Sequence, residues 1–146
     1  MAVQAIRKDA ARNPQTLEEA KALIKHVESL FMPWNIDALV AGFTEDCVVR
    51  FGNVPQFTGR DRLRAFFTAR SAKQKGYRLT KQLRSFTGDT LTNIWDGAWQ
   101  DAETGQPMKG FGVEFWHMRN GKIALWEAAF NVVRADQAPS VADALR

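Results

Sequence analysis

The sequence has 146 residues, 45% of them hydrophobic, 25% charged and 11% aromatic, which is enough for one globular domain with its own core. This composition excludes a disordered tail protein, a coiled coil and a two-domain enzyme. The single cysteine, Cys47, and two histidines, His26 and His117, exclude an intrachain disulfide, a cysteine-rich zinc site and a three-histidine metal site.

No apolar run reaches the about 18 residues that would span a bilayer. The polar leader of residues 1–14 has no apolar signal core, so a cytoplasmic, reduced protein with no membrane partner is expected. The net charge is +4 and the pI about 9.5. Between Arg60 and Arg84 lie nine basic residues and one acid, Asp61. Such a stripe can attract phosphates, but no nucleic-acid motif accompanies it. It is therefore read as a solvated helix face followed by the outer face of a strand, and nucleic acid is not the expected partner.

Thr16 to Glu19 reads as a capping box. Ala20, Leu23, Ile24, Val27, Leu30 and Phe31 follow at helical spacing, and Pro33 closes this first helix. Asn35 caps a short second helix carrying Ile36, Leu39, Val40 and Phe43. Cys47 to Phe51 reads as a strand. Thr58 is expected to cap a third helix with Leu63, Phe66 and Phe67 on its buried stripe. The period then changes. Tyr77, Leu79, Leu83 and Ser85 share one side of a strand and Arg78, Thr80, Gln82 and Arg84 the other. Leu91 to Gln100 and Lys109 to Met118 are further strands. Asn120-Gly121 predicts a type I′ hairpin into a last strand, Lys122 to Val133, before a polar tail at 134–146.

Helices placed ahead of a run of antiparallel strands indicate an α+β fold. Three helices have one sheet to cover, so a long twisted sheet curling around them would enclose a concave, apolar cavity.

Several stretches within residues 16–133 carry a resemblance: Pro33-Trp34-Asn35, Phe43 to Asp46, Phe57 to Arg60, Tyr77 to Leu83 and Phe86-Thr87-Gly88. Phe111 to Trp116, Asn120-Gly121 and Glu127-Ala128 extend it. With this element order they resemble the nuclear transport factor 2-like superfamily, in its SnoaL-like branch, and within that a subfamily mostly of unassigned function. The resemblance implies a single cone-shaped α+β barrel, a curved antiparallel sheet around three helices, with a deep pocket. It also implies a homodimer through the outer face of the sheet. It implies no particular activity, because this fold hosts isomerases, dehydratases, epoxide hydrolases, cyclases and non-catalytic partners.

The late strands carry acids among apolar residues. Glu114 lies between Val113 and Phe115, Glu127 between Trp126 and Ala128, and Asp96 between Trp95 and Gly97. A carboxyl in an apolar cone is pushed toward neutrality and suits general acid–base work. Alternation groups Glu127 with Asn131, and Glu114 with Trp116, but leaves open which face is inward. The subfamily pattern implies Glu114, Trp116, Glu127, Asn131 and Arg50 as site positions. Arg50, alone in an apolar run, needs a partner if buried, and Glu114 or Glu127 is expected to supply it. His117 is a further catalytic candidate because it titrates near working pH. Trp95, Trp99, Trp116 and Tyr77 are candidate pocket-lining residues. For each there is a structural alternative: a cross-strand ion pair, an exposed histidine, ordinary aromatic core. His26 reads as structural, Asp96 as exposed or interfacial, and Cys47 as core.

Two functions are expected from these residues. The first is a cofactor-independent and metal-free enzyme acting by acid–base chemistry on a small apolar carbonyl- or hydroxyl-bearing molecule. It would be of isomerase, dehydratase or cyclase type, with Glu127, Glu114 or His117 catalytic. The alternative is a non-catalytic module of the same fold that binds a small ligand or a protein.

Overall fold

The computed structural model describes residues 11–137 and 139–146; most of the leader expected at 1–14 lies outside them. Helix α1 (Leu17–Ser29) begins where the Thr16 hydroxyl accepts from the Glu19 amide. Helix α2 (Ile36–Ala41) begins where the Asn35 side chain accepts from the Ala38 amide. Strands β1 (Phe43–Phe51) and β2 (Phe57–Thr58), helix α3 (Arg60–Lys73) and four long strands follow. These are β3 (Gln74–Thr87), β4 (Thr90–Asp101), β5 (Pro107–Arg119) and β6 (Lys122–Arg134). The tail holds a 3₁₀ turn at Ala135–Gln137 and a short helix, α4 (Val141–Ala144).

The strands form one sheet in the order β2-β1-β6-β5-β4-β3. Every pairing is antiparallel except β1 with β6. The curved sheet is open, with β2 and β3 at its edges, and does not close into the barrel expected. Its inner face holds Leu79, Leu91, Trp95, Trp116, Met118 and Trp126 against Ala20, Ile24, Phe31, Leu39, Leu63 and Phe67 of the helical layer. The β5–β6 hairpin turns at Asn120 (φ 51°) and Gly121 (φ 74°), the two positive values a type I′ turn requires.

Two boundaries differ from expectation. Strand β1 starts at Phe43, because Phe43 pairs with Ile123 of the parallel neighbour. Helix α3 is not capped by Thr58, which is committed to the ladder opposite Val48. It starts after Gly59, whose φ of 96° suits glycine.

Edge strand β3 is covered by α1. Glu28 accepts from the Lys81 amide at 2.6 Å, and Lys25 Nζ donates to the Lys81 carbonyl at 2.7 Å. These contacts satisfy the outward backbone groups of an edge and hold Lys81 in a register that turns its side chain into the core.

Acid should weaken the fold in a defined direction. Gln15 N–H holds the Glu19 carboxyl below its ordinary 4.5. The Thr104 and Glu103 amides hold Asp101 below 3.8, and the Thr44 hydroxyl with Arg119 does the same for Asp46. Groups depressed in the folded state stabilise it above their unfolded pKa, and that stability is lost as pH falls through the folded values. Chemical denaturation at a series of pH values should therefore show stability level above the ordinary carboxylate range and declining below it. A rise on acidification would contradict these contacts.

Candidate active site inside the cone

Alternation along the sheet brings the inward residues of four strands together. On β3, Tyr77, Leu79 and Lys81 point inward; on β4, Leu91, Asn93 and Trp95; on β5, Gly112, Glu114 and Trp116; on β6, Trp126 and Ala128. Glu114 lies opposite Asn93 on one neighbouring strand and Ala128 on the other. Lys81 lies opposite Trp95.

Lys81 and Glu114 form an ion pair, and their residues are only 4% and 2% exposed. Glu114 Oε2 also accepts from Trp126 Nε1 at 3.0 Å. Lys81 Nζ lies 3.5 Å from Asn93 Oδ1 and 5.5 Å from the Trp116 ring. Burial pushes the Lys81 ammonium down, and the Glu114 carboxylate opposes that shift. Because Lys81 can only donate, Asn93 Oδ1 faces it and Asn93 Nδ2 points elsewhere. Among the described residues that Nδ2 has no acceptor, and neither do Trp95 Nε1 and Trp34 Nε1.

Arg70 stands at the other end of this interior. It continues the buried stripe of α3 one turn beyond Phe66 and Phe67. Its guanidinium lies 4.9 Å from the Phe51 ring centre, 5.6 Å from Trp34 and Phe66, and 5.9 Å from Tyr77. Burial disfavours its charge, and the neighbouring Tyr77 oxygen and more distant Glu114 oppose that. Burial also pushes the Tyr77 hydroxyl up.

Two small cavities flank the Lys81–Glu114 pair. One, of about 20 Å³, touches Phe31, Phe43, Phe67 and Trp116. The other, of about 10 Å³, touches Arg70, Tyr77, Leu79 and Trp95. Each has room for about one water molecule, so the interior is a filled aromatic core with a polar seam and not the deep open cavity expected. The largest rings owe their places to glycine. A Cβ on Gly112 would stand 2.5 Å from the Trp95 indole, and one on Gly110 3.0 Å. Gly112→Ala should cost about 1–3 kcal/mol by displacing that ring, measured by urea unfolding. No loss would mean that the ring is free to move.

The expected site residues divide between the two faces. Glu114, Trp95, Trp116 and Tyr77 lie inside, and Trp99 packs partly buried on Tyr77 at 5.9 Å. Glu127, Asn131, Arg50 and His117 lie on the outer face, because Trp126, Ala128 and Phe130 take the inward positions of β6 and Trp116 that of β5. Arg50 does meet Glu127, at 4.0 Å across the parallel pairing. Both are solvated, so the pair is a weak surface contact and not the buried one expected; Glu114 takes Lys81 instead. His117 is exposed, with Nδ1 3.5 Å from Thr90 Oγ1. Arg50 and Glu127 line an outer hollow of about 590 Å³ together with Val113 and Phe115.

Lys81, Arg70 and Asn93 were not among the expected site residues. Lys81 and Arg70 were counted in the solvated basic stripe, yet both occupy apolar-face positions. Lys81 follows Tyr77 and Leu79 at period two, and Arg70 follows Phe66 and Phe67 at helical spacing. A cation on the buried parity was the available signal. No group of three or more histidine, cysteine, aspartate or glutamate side chains is placed to hold a metal among the described residues, and no described helix is long and apolar enough to cross a membrane.

A family model described as "Protein of unknown function (DUF1348)" matches residues 13–140. The chain belongs to the DUF1348 family. No functionally curated protein matches it. Among solved structures, this DUF1348 chain is similar to the epoxide hydrolase/cyclase-like enzyme SalBIII, described with a role in pyran ring formation in the polyether salinomycin. The TM-score is 0.71 at 14% identity, covering 80% of this chain and 96% of that one. It is also similar to a candidate polyketide cyclase of Pseudomonas putida (TM-score 0.63, 19% identity, 77% and 91% covered). Another, from a Silicibacter species, gives a TM-score of 0.69 at 17% identity, with 77% and 88% covered. These likenesses show that the DUF1348 chain shares the fold of the three structures, a curved sheet packed on helices, which is the fold the resemblance to the nuclear transport factor 2-like superfamily implies.

Proposed function

We propose that this protein is an acid–base enzyme of the cyclase, isomerase or dehydratase type, working inside the cone on a small molecule that carries a carbonyl or hydroxyl oxygen. The observation that carries the reading is the Lys81–Glu114 pair, buried among rings and flanked by cavities and by donors without acceptors. Such a pair adds little stability over apolar residues of the same size, whereas a buried carboxylate beside a hydrogen-bonding seam can take a proton from a bound substrate and return it. In this reading Glu114 moves the proton, Lys81 balances its charge, and Trp126 fixes the carboxylate plane. The Asn93 and Trp95 N–H groups stabilise the oxygen that becomes negative. Side chains alone carry this chemistry, so the reading calls on no cofactor. The names of the structural relatives support the reaction type. The single buried thiol of Cys47 suits a reduced cytoplasmic setting.

In deuterium oxide the wild type should exchange the α-hydrogens of small cyclic ketones, followed by proton NMR. Glu114→Gln should slow that exchange by at least about a hundredfold with an unchanged circular dichroism spectrum. Exchange that survives Glu114→Gln, or a wild type no faster than buffer, sinks the reading.

A second reading concerns the outer face, where Phe111 and Val113 are 50% and 49% exposed and Phe115 and Val132 lie nearby. A contiguous apolar strip of this kind marks an interaction surface, and a second copy of the chain is the proposed occupant. Sedimentation should give a dimer for the wild type and a monomer for Val113→Lys. Identical behaviour of the two would remove this surface from the assembly.

A further inference from the structure

We propose that the cavity walled by Arg70, Tyr77, Lys81, Trp95 and Glu114 is a binding site for one water molecule, which accepts a hydrogen bond from Trp95 Nε1 and joins that indole to the Lys81–Glu114 pair. The proposal stands apart from the acid–base reading, since it concerns a resident of the interior and not a substrate. Three observations lead to it.

The first is size. The cavity measures about 10 Å³, a volume that admits about one water molecule and no organic ligand. A buried water needs about two to four polar partners, and this wall offers the polar side chains of five residues.

The second is the placement of Trp95. The residue is nearly wholly buried, and its Nε1 has no acceptor among the described residues. A Cβ on Gly112 would stand 2.5 Å from Nε1, whereas one on Gly110 would meet the benzene ring of the indole. The N–H edge therefore lies over Gly112, which precedes Glu114 by two residues on the inward face of β5. Lys81 is the cross-strand neighbour of Trp95 on β3. The donor without an acceptor is thus at the end of the indole nearest the ion pair.

The third is the count of donors and acceptors. An ammonium has three N–H groups, and Lys81 directs two of them at Glu114 Oε1 and Asn93 Oδ1. A carboxylate can accept about four hydrogen bonds, and Glu114 takes one from Lys81 and one from Trp126. A water here accepts from Trp95 Nε1 and from the third Lys81 N–H, and donates to the carboxylate. All three groups are then satisfied, as buried polar groups normally are. The other cavity, of about 20 Å³, also touches Lys81 and Glu114, but none of the unpartnered donors lines it.

A high-resolution crystal structure of the wild type tests the site. Isolated solvent density is expected about 2.7–3.2 Å from Trp95 Nε1, with Lys81 Nζ or a Glu114 oxygen at a similar distance. In solution, the Trp95 indole proton, assigned by its loss in Trp95→Phe, should show a nuclear Overhauser cross-peak to water with the sign of a long-lived bound molecule. The cross-peak should persist in Tyr77→Phe, which removes a hydroxyl proton able to relay exchange. No density in the cavity, density out of reach of Trp95 Nε1, or a cross-peak that is missing or vanishes in Tyr77→Phe overturns the proposal. If either variant does not fold, the wild-type crystal structure decides alone.

Discussion

Glu114→Ala should lower the unfolding free energy by roughly 3–5 kcal/mol, the usual consequence of leaving one member of a buried ion pair without its partner. The remaining charge would be the Lys81 ammonium, 4% exposed, with only the Asn93 oxygen at 3.5 Å and the Trp116 ring face beside it. Trp126 Nε1 would also lose its acceptor. The double substitution Lys81→Met with Glu114→Leu should recover most of that loss, because both desolvated charges are then gone and the volume is kept. Urea unfolding of the single and double variants, at constant m-value, measures this directly. A double variant as unstable as Glu114→Ala would mean that packing and not the stranded charge sets the cost. The proposed function adds a further expectation: the double variant is folded and yet fails to exchange deuterium into ketones. Stability and chemistry are then assigned to different properties of the same two residues.

Phe67→Ala should cost about 3–5 kcal/mol, at the upper range of core truncations. The ring is 1% exposed and stacks on Trp126 at 5.9 Å, with Phe31 at 6.0 Å and Phe43 at 6.2 Å on its other sides. It packs α3 against β6 through Trp126, β1 through Phe43 and the segment after α1 through Phe31, and it lies one helical turn before Arg70. The neighbouring Phe66→Ala removes the same atoms from a partly exposed position and should cost clearly less, since area already in contact with water contributes little. Midpoints of urea unfolding for the two variants decide the matter. Equal losses would mean that burial at this helix does not set the energetics.

The candidate site was less legible than the fold. The capping residues Thr16 and Asn35, the helical stripes and the Asn120-Gly121 turn are local signals, each acting over one or two turns of chain, and all appear where the residues indicate. Glu114 and Trp95 were also visible as polar or bulky residues on late strands. What the sequence left open was which face of β5 and β6 turns inward. On β5 the more apolar set, Phe111, Val113 and Phe115, faces out, while Gly110, Gly112, Glu114, Trp116 and Met118 face in. Hydrophobicity alone selects the wrong side. The two glycines are inward because the Trp95 indole lies across them, and Glu114 is inward because Lys81 reaches it from two strands away.

Element order, α+β class, turns and the family resemblance are all legible in the residues, because they depend on interactions between residues close in the chain or on a pattern read position by position. The pairing of Glu114 with Lys81 in place of Arg50, the outward placement of Glu127, Asn131 and His117, and the half-buried position of Arg70 among aromatic rings come from the tertiary structure. Those outcomes depend on which strands are neighbours and on how edge strand β3 is held by Lys25 and Glu28 of α1. A one-residue change of parity moves every side chain of a strand to the opposite face, and the energy that selects the parity comes from partners tens of residues away.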